Sequence, residues 1–159
     1  MIYAGIDVST RAVHIALLDF DSDAAEVQVY DATDCEGDAL VRARTLVDLL
    51  PSRRSSLWDD VGLVAIERPM GPGTKAVGDM MLVVGIVVAH LPPEIPVWLL
   101  GPTEWRKGCG LAGNATKAAV AWFVRSKLGQ AIDWPQDSLD AYSIAFAARA
   151  LNAAGVAAA

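Results

Sequence analysis

Four carboxylates carry the pattern most open to chemistry. The run Met1-Ile-Tyr-Ala-Gly-Ile-Asp7 is apolar until it stops at an acid, and Val61-Gly-Leu-Val-Ala-Ile-Glu67 does the same. Two further acids, Asp137 and Asp140, lie three residues apart after Trp134-Pro135. At a helix start that spacing puts both on one face, about one turn apart. If the two apolar runs are parallel neighbours, Asp7 and Glu67 share one edge of a sheet, and a helix packed there can bring Asp137 and Asp140 beside them. Four carboxylates at one place repel unless cations sit among them. Hard divalent ions with oxygen ligands, Mg²⁺ or Mn²⁺, are the natural occupants. A pair of such ions clamps the attacking and leaving oxygens of a phosphodiester during in-line displacement.

Each acid also has an ordinary role to set against this. Asp137 with Asp140 fits a helix-capping pattern, Asp7 a turn aspartate, and Glu67 a surface acid paired with Arg68. The four together favour the metal. Cys35 and Cys109 are too few and too isolated for a zinc site or a disulfide framework. His14 and His90 have no acid or nucleophile beside them in sequence and are expected to be structural. Trp105 and Trp122 are expected in the core.

The elements that must position these acids follow from periodicity. Short, nearly continuous apolar runs suit strands buried on both faces, which predicts strands up to Asp7 and over Val61–Glu67. Ala12–Phe20 and the alternating Glu26–Tyr30 predict a second and third strand, joined by a polar turn at Asp19–Asp23. Helical spacing over Glu36–Leu50 ends before Pro51. The Pro- and Gly-rich stretch from Arg68 to Lys75 reads as a loop leading into a buried helix that ends near His90. Val97–Leu100 is a fifth strand, a short helix follows Gly101, Asn114 caps a helix from Ala115 to Leu128, and the last helix spans Asp137–Leu151. The prediction is an α/β fold with a five-stranded mixed sheet, three strands antiparallel and two added in parallel, strand one beside strand four. Ligand sites of open α/β sheets lie at the carboxyl edge of the strands.

A chain of 159 residues suffices for one domain with a proper core, here residues 1–152. The alanine-rich tail 153–159 has no anchoring side chains and is expected to fray. The net charge of −6 argues against a generally basic coat but leaves room for a local cationic rim: Lys75, Arg106, Lys107, Lys117, Arg125 and Lys127. The start of the chain lacks the basic region of a signal peptide, and its longest apolar run, Met80–Leu91, falls short of the roughly 20 residues that span a bilayer. The expectation is a cytoplasmic protein with no membrane partner.

Gly5-Ile-Asp7-Val-Ser-Thr-Arg11, Ala65-Ile-Glu67-Arg-Pro, Gly113-Asn-Ala-Thr-Lys117 and Asp137-Ser-Leu-Asp140-Ala stand in an order and spacing that cover nearly the whole chain. In these motifs the chain resembles the ribonuclease H-like superfamily, and within it the RuvC-like Holliday-junction resolvases of phage type. The resemblance implies strand order 3-2-1-4-5 with strand 2 antiparallel. It implies a homodimeric, Mg²⁺-dependent endonuclease, in the host cytoplasm if phage-encoded, that cuts four-way junctions or related branched DNA with two ions per site. It places Asp7, Glu67, Asp137 and Asp140 as metal ligands, Asp7 bridging both ions, and Lys117 as a catalytic partner at the scissile phosphate. Arg106 or Lys107 would meet a neighbouring phosphate, and Lys75 would add to the DNA surface. Where the family carries an aromatic wedge after the second acid, this chain has Met70, a departure that opens forks and flaps as substrates. Two other readings compete. One is an actin-like or sugar-kinase-type ATPase lobe, which shares Gly-Ile-Asp-x-Ser but needs a second lobe and a second glycine motif. The other is a module that binds branched DNA without cutting it, against which the full set of acids speaks.

Overall fold

A computed structural model describes residues 1–71, 73–129 and 132–156. Its elements are β1 (Ile2–Val8), β2 (Ala12–Asp19), β3 (Ala25–Asp31), α1 (Ala39–Leu49), β4 (Val61–Glu67), α2 (Thr74–His90), β5 (Val97–Leu100), α3 (Pro102–Gly108), α4 (Lys117–Leu128) and α5 (Gln136–Ala153), with a single 3₁₀ turn at Ser56–Trp58 before β4. The five strands form one sheet in the order β3-β2-β1-β4-β5. β2 runs antiparallel to both β1 and β3, while β1, β4 and β5 are parallel. The expected sheet and its neighbours are therefore those observed.

Alternation along the strands assigns the two faces. Ala4, Ile6, Val8, Val13, Ile15, Val64 and Ile66 point to one side, where they pack on α1 and α2 through Leu46, Val83, Val84 and Val87. Tyr3, Ala16, Leu18, Leu63 and Ala65 point to the other, against Trp105, Val120, Phe123 and the inner face of α5. Burying each of the larger side chains contributes about 1.5–3 kcal/mol. Gly5 lies on the α5 side and cannot be anything larger: a Cβ there would stand 2.1 Å from the Ala141 carbonyl oxygen and 2.3 Å from the Ala145 nitrogen. With Ala141, Ala145 and Ala148 wholly buried, α5 lies backbone-close across β1.

Several boundaries differ from expectation. α1 starts at Ala39 rather than near Glu36, because Asp38 caps it by accepting from the Leu40 and Val41 amides, both at 3.0 Å. α4 is capped by Thr116, whose hydroxyl accepts from the Ala119 amide at 3.2 Å, and not by Asn114. Ala115 is spent in a turn to the Ala112 carbonyl, so Asn114 sits outside the helix. Of the tail, Ala153 closes α5, and residues 157–159 lie outside the described residues. Among the described residues no helix is long and apolar enough to cross a membrane.

Candidate metal and phosphate site

Register alone joins the first two acids. Ile6 lies opposite Ile66 in the parallel β1/β4 pair, so Asp7 and Glu67, the next residue of each strand, leave the sheet side by side. Both follow the parity of Gly5 and Ala65 and so face α5. Glu67 is not paired with Arg68, whose guanidinium instead meets Glu104 at 3.0 Å.

The close seat of α5 on Gly5 carries Asp137 and Asp140 to the same edge. The capping role weighed against the metal for this pair is not taken up: the N-cap is Pro135, and no side chain caps the helix. Asp140 accepts instead from the Gln136 side chain at 2.7 Å. Asp137 remains about half exposed.

The electrostatics record the convergence. Asp7 is pushed up to about 8, first by burial and then by the charges of Glu67, Asp140 and Asp137. Glu67 is raised by burial and by Asp140 and Asp137, against the lowering pull of Trp105 and Arg106. Asp140 is raised chiefly by burial, with Arg106 and Lys117 pulling the other way. The Trp105 indole N–H is directed at Glu67, yet it is buried with no completed hydrogen bond, and so is the Arg106 Nε.

Of the expected basic residues, Arg106 and Lys117 stand where the acids feel their charge. Lys117 is the first residue of α4, where the helix dipole also favours an anion. Arg106 lies over the Trp105 ring at 4.8 Å and donates to the Gly113 carbonyl at 3.4 Å. Lys107 instead lies along Gly113. Lys75 is set apart, in a depression shared with Asp38, Arg42 and Asp79 between α1 and α2. Met70 is 64% exposed in the loop after β4.

His14 and Trp122 stand in surroundings that the sequence did not predict. His14 is paired with Asp7 across β1/β2. Its ring is buried, shares a hydrogen bond of 2.8 Å between Nδ1 and the Ser138 hydroxyl, and sets Nε2 3.9 Å from Asp137. Burial lowers its pKa, opposed by Asp137 and Asp31. The signal was present: the short Ser9–Arg11 connection closes a hairpin that puts residue 14 opposite residue 7. His90, by contrast, bonds the Ile86 carbonyl of its own helix, as a structural residue does. Trp105 is in the core as expected, but Trp122 is 68% exposed. Trp122 stands at the outer side of α4, because Val120, Phe123 and Val124 already fill its inner face.

Whether these residues suit a cation can be judged from the donors. All four are carboxylates, the ligand class of Mg²⁺ and Mn²⁺, and a cation among them would offset both the burial and the mutual repulsion that raise Asp7. Among the described residues no three acid, histidine or cysteine side chains already stand close enough to ligate one ion. The carboxylates must turn inward to hold one. The donor set fits; the closing of the shell is left to the ligand.

A sheet of order 3-2-1-4-5 with strand 2 antiparallel, carrying its acids at the carboxyl edge of strands 1 and 4, is a ribonuclease H-like fold. The solved RuvC structure of Thermus thermophilus is similar to this chain with a TM-score of 0.76 and 23% identity, over 99% of each. The same organism's RuvC in complex with a Holliday-junction substrate gives 0.77 and 20%, over 99% of this chain and 98% of that one. No family model and no curated protein matches the chain. At these identities the likeness shows the fold: this is a RuvC-like fold along its whole length.

Proposed function

We propose that this chain is a divalent-metal-dependent endonuclease that hydrolyses phosphodiester bonds in four-way junctions or related branched DNA. The observation that carries it is the convergence of Asp7, Glu67, Asp137 and Asp140 from three separate elements, with Asp7 pushed up to about 8. The likeness to a RuvC solved on a Holliday junction supports the choice of substrate. The nuclease comprises residues 1–152 as one domain.

Asp7, Glu67, Asp137 and Asp140 would hold Mg²⁺ or Mn²⁺. When bound, such ions activate water and neutralise charge that develops on the phosphate. Lys117 and Arg106 orient the scissile and a neighbouring phosphate, in keeping with their pull on Asp140 and Glu67. The Trp105 indole N–H, directed at Glu67 without a completed hydrogen bond, is placed to steady that carboxylate when it turns inward. Met70 reaches into the branch, where an apolar side chain can part stacked bases, while Lys75 and Lys107 meet the flanking backbone.

The acting form is a homodimer. α2 leaves Gly78, Met81, Leu82, Gly85, Val88 and Ala89 exposed along one stripe, and a Cβ at Gly78 or Gly85 would meet nothing within 4 Å. A bare apolar stripe with gaps suits self-complementary two-fold packing. Light scattering on the native chain and on Leu82→Glu checks this, with a dimer expected for the first and a monomer for the second.

Labelled four-way junctions, forks, flaps and linear duplex, each with Mg²⁺, Mn²⁺ or EDTA, test the activity. Cleavage of branched substrates with either metal and none in EDTA is expected. Full activity of Asp7→Asn would refute it.

A further inference from the structure

Charge in this chain is segregated. Between Trp105 and Ile132 lie Arg106, Lys107, Lys117, Arg125 and Lys127, five of the 13 Lys and Arg, and none of the 19 Asp and Glu. In a chain of net charge −6, this stretch is a cationic island. α4 lies within it. Its inner face is filled by Val120, Phe123 and Val124, and Lys127 is folded back over Phe146 at 4.9 Å. The outer face carries Trp122, 68% exposed, with Arg125 one turn further on and the small Ala118 one turn before it. Among the described residues, Lys117 and Arg125 make no ion pair.

Tryptophan is enriched at interfaces, where its large ring is covered while its N–H finds a partner. A second copy of this face is disfavoured, since two-fold packing would set Arg125 and Lys117 against their own images. A polyanion with flat apolar rings satisfies both demands. We infer that the outer face of α4 is a nucleic-acid contact on which Trp122 stacks an unpaired base while Arg125, one turn on, holds the adjoining backbone, with Lys117 at the N-terminal edge of the helix, nearer the acids. From Lys117 to Arg125 the helix rises about 12 Å at 1.5 Å per residue. That is roughly three to four nucleotides of a duplex strand at about 3.4 Å each. Stacking is indifferent to sequence because every base has a π-face, but an intact duplex hides those faces and a branch point exposes them. Trp122 is thus a residue for choosing branched over linear DNA. Lys117 ties the surface to the acids, since its charge acts on Asp140.

This surface rests on the endonuclease reading, and the test separates the two. Binding of a labelled four-way junction and of a linear duplex of matching sequence is measured by anisotropy in EDTA, for the full chain and for Trp122→Ala, Trp122→Phe and Arg125→Ala. Loss of one stacked base predicts that Trp122→Ala binds the junction about tenfold to a hundredfold more weakly. The duplex should change by less than about twofold, and Trp122→Phe should recover most of the loss. Arg125→Ala should weaken both DNAs and reduce the salt slope by about one. Junction binding should quench tryptophan fluorescence in the native chain more than in Trp122→Phe. Native-like junction affinity in Trp122→Ala overturns the inference while leaving the nuclease reading intact. A shift of Trp122→Ala to a smaller species in light scattering also overturns it, by assigning the ring to a subunit contact. If the native chain binds no DNA at all, both readings fall together.

Discussion

The two faces of the sheet are built on opposite plans. On the α1/α2 side the contacts are branched aliphatics, Ile6, Ile15, Val64, Val83 and Val87 among them, and spacing is set by side-chain bulk. On the α5 side the contact over β1 is Gly5 against the backbone of Ala141 and Ala145. The first plan buries area and leaves a helix whose outer stripe is still apolar. The second gives up side-chain burial to bring a helix terminus within reach of two strand ends. Close approach is what lets Asp137 and Asp140 act on Asp7. One face buries apolar bulk; the other gathers four acids, and the cost appears in Asp7, raised first by burial and then by its acidic neighbours.

The largest effect expected from breaking this contrast is at Asp7. Asp7→Asn should lower cleavage by more than about 100-fold, beyond the loss from a group that merely orients a metal ligand, while raising the melting temperature of the metal-free chain. The sign follows from its pKa. The folded value, about 8, lies above the ordinary 3.8, so the folded chain holds a proton that the unfolded chain releases between those values. The contribution of Asp7 to stability is therefore greatest below about pH 4 and is lost as pH rises towards about 8. Melting curves of the metal-free protein should show this loss, Asp7→Asn should flatten it, and Mg²⁺ or Mn²⁺ should stabilise more at pH 8 than at pH 5. A metal response that does not depend on pH would count against the acid cluster.

Next comes the close contact itself. Gly5→Ala should cost about 3 kcal/mol in denaturant melts, because the clash is with backbone and not with a flexible side-chain end. His14 should matter less, and differently. Its bond to Ser138 and its approach to Asp137 hold the first turn of α5 against β2. His14→Ala should weaken Mn²⁺ binding by about tenfold in calorimetry. His14→Asn, which can keep the bond to Ser138, should recover part of it. Equal affinity in all three would make His14 packing only. The smallest effect lies on the other face. Gly85→Ala, in a helix with open space around it, should stabilise the monomer by about 0.5–1 kcal/mol. If it instead weakens self-association in light scattering, the α2 stripe is a contact between copies.

Much of this architecture was legible from periodicity. The five strands and the adjacency of Asp7 and Glu67 follow from apolar runs of strand length and the order of elements along the chain; the full strand order was implied by the family resemblance. Helix starts were less so. Asp38 and Thr116 took over capping from nearby residues, since a cap depends on which side chain can reach a free amide, and that is decided within a residue or two. Trp122 was expected inside because its size favours burial; the chain had already filled that side of α4 with Val120, Phe123 and Val124.

What the sequence determined by itself was the set of groups and the edge they share: period-2 alternation puts Asp7 and Glu67 on one face, and spacing of three puts Asp137 and Asp140 on another. What only the tertiary structure decided was that these faces meet. Gly5 in the sequence is a glycine in a strand, which ordinarily marks weakness or a bend. It becomes the seat of α5 only when Ala141 and Ala145 come to lie across it, and that contact depends on residues 136 positions and more away. The same contact puts Ser138 on His14 and brings the acids of α5 beside Asp7. Charge interactions fall with distance and strengthen with burial, and neither quantity is defined until the chain has folded.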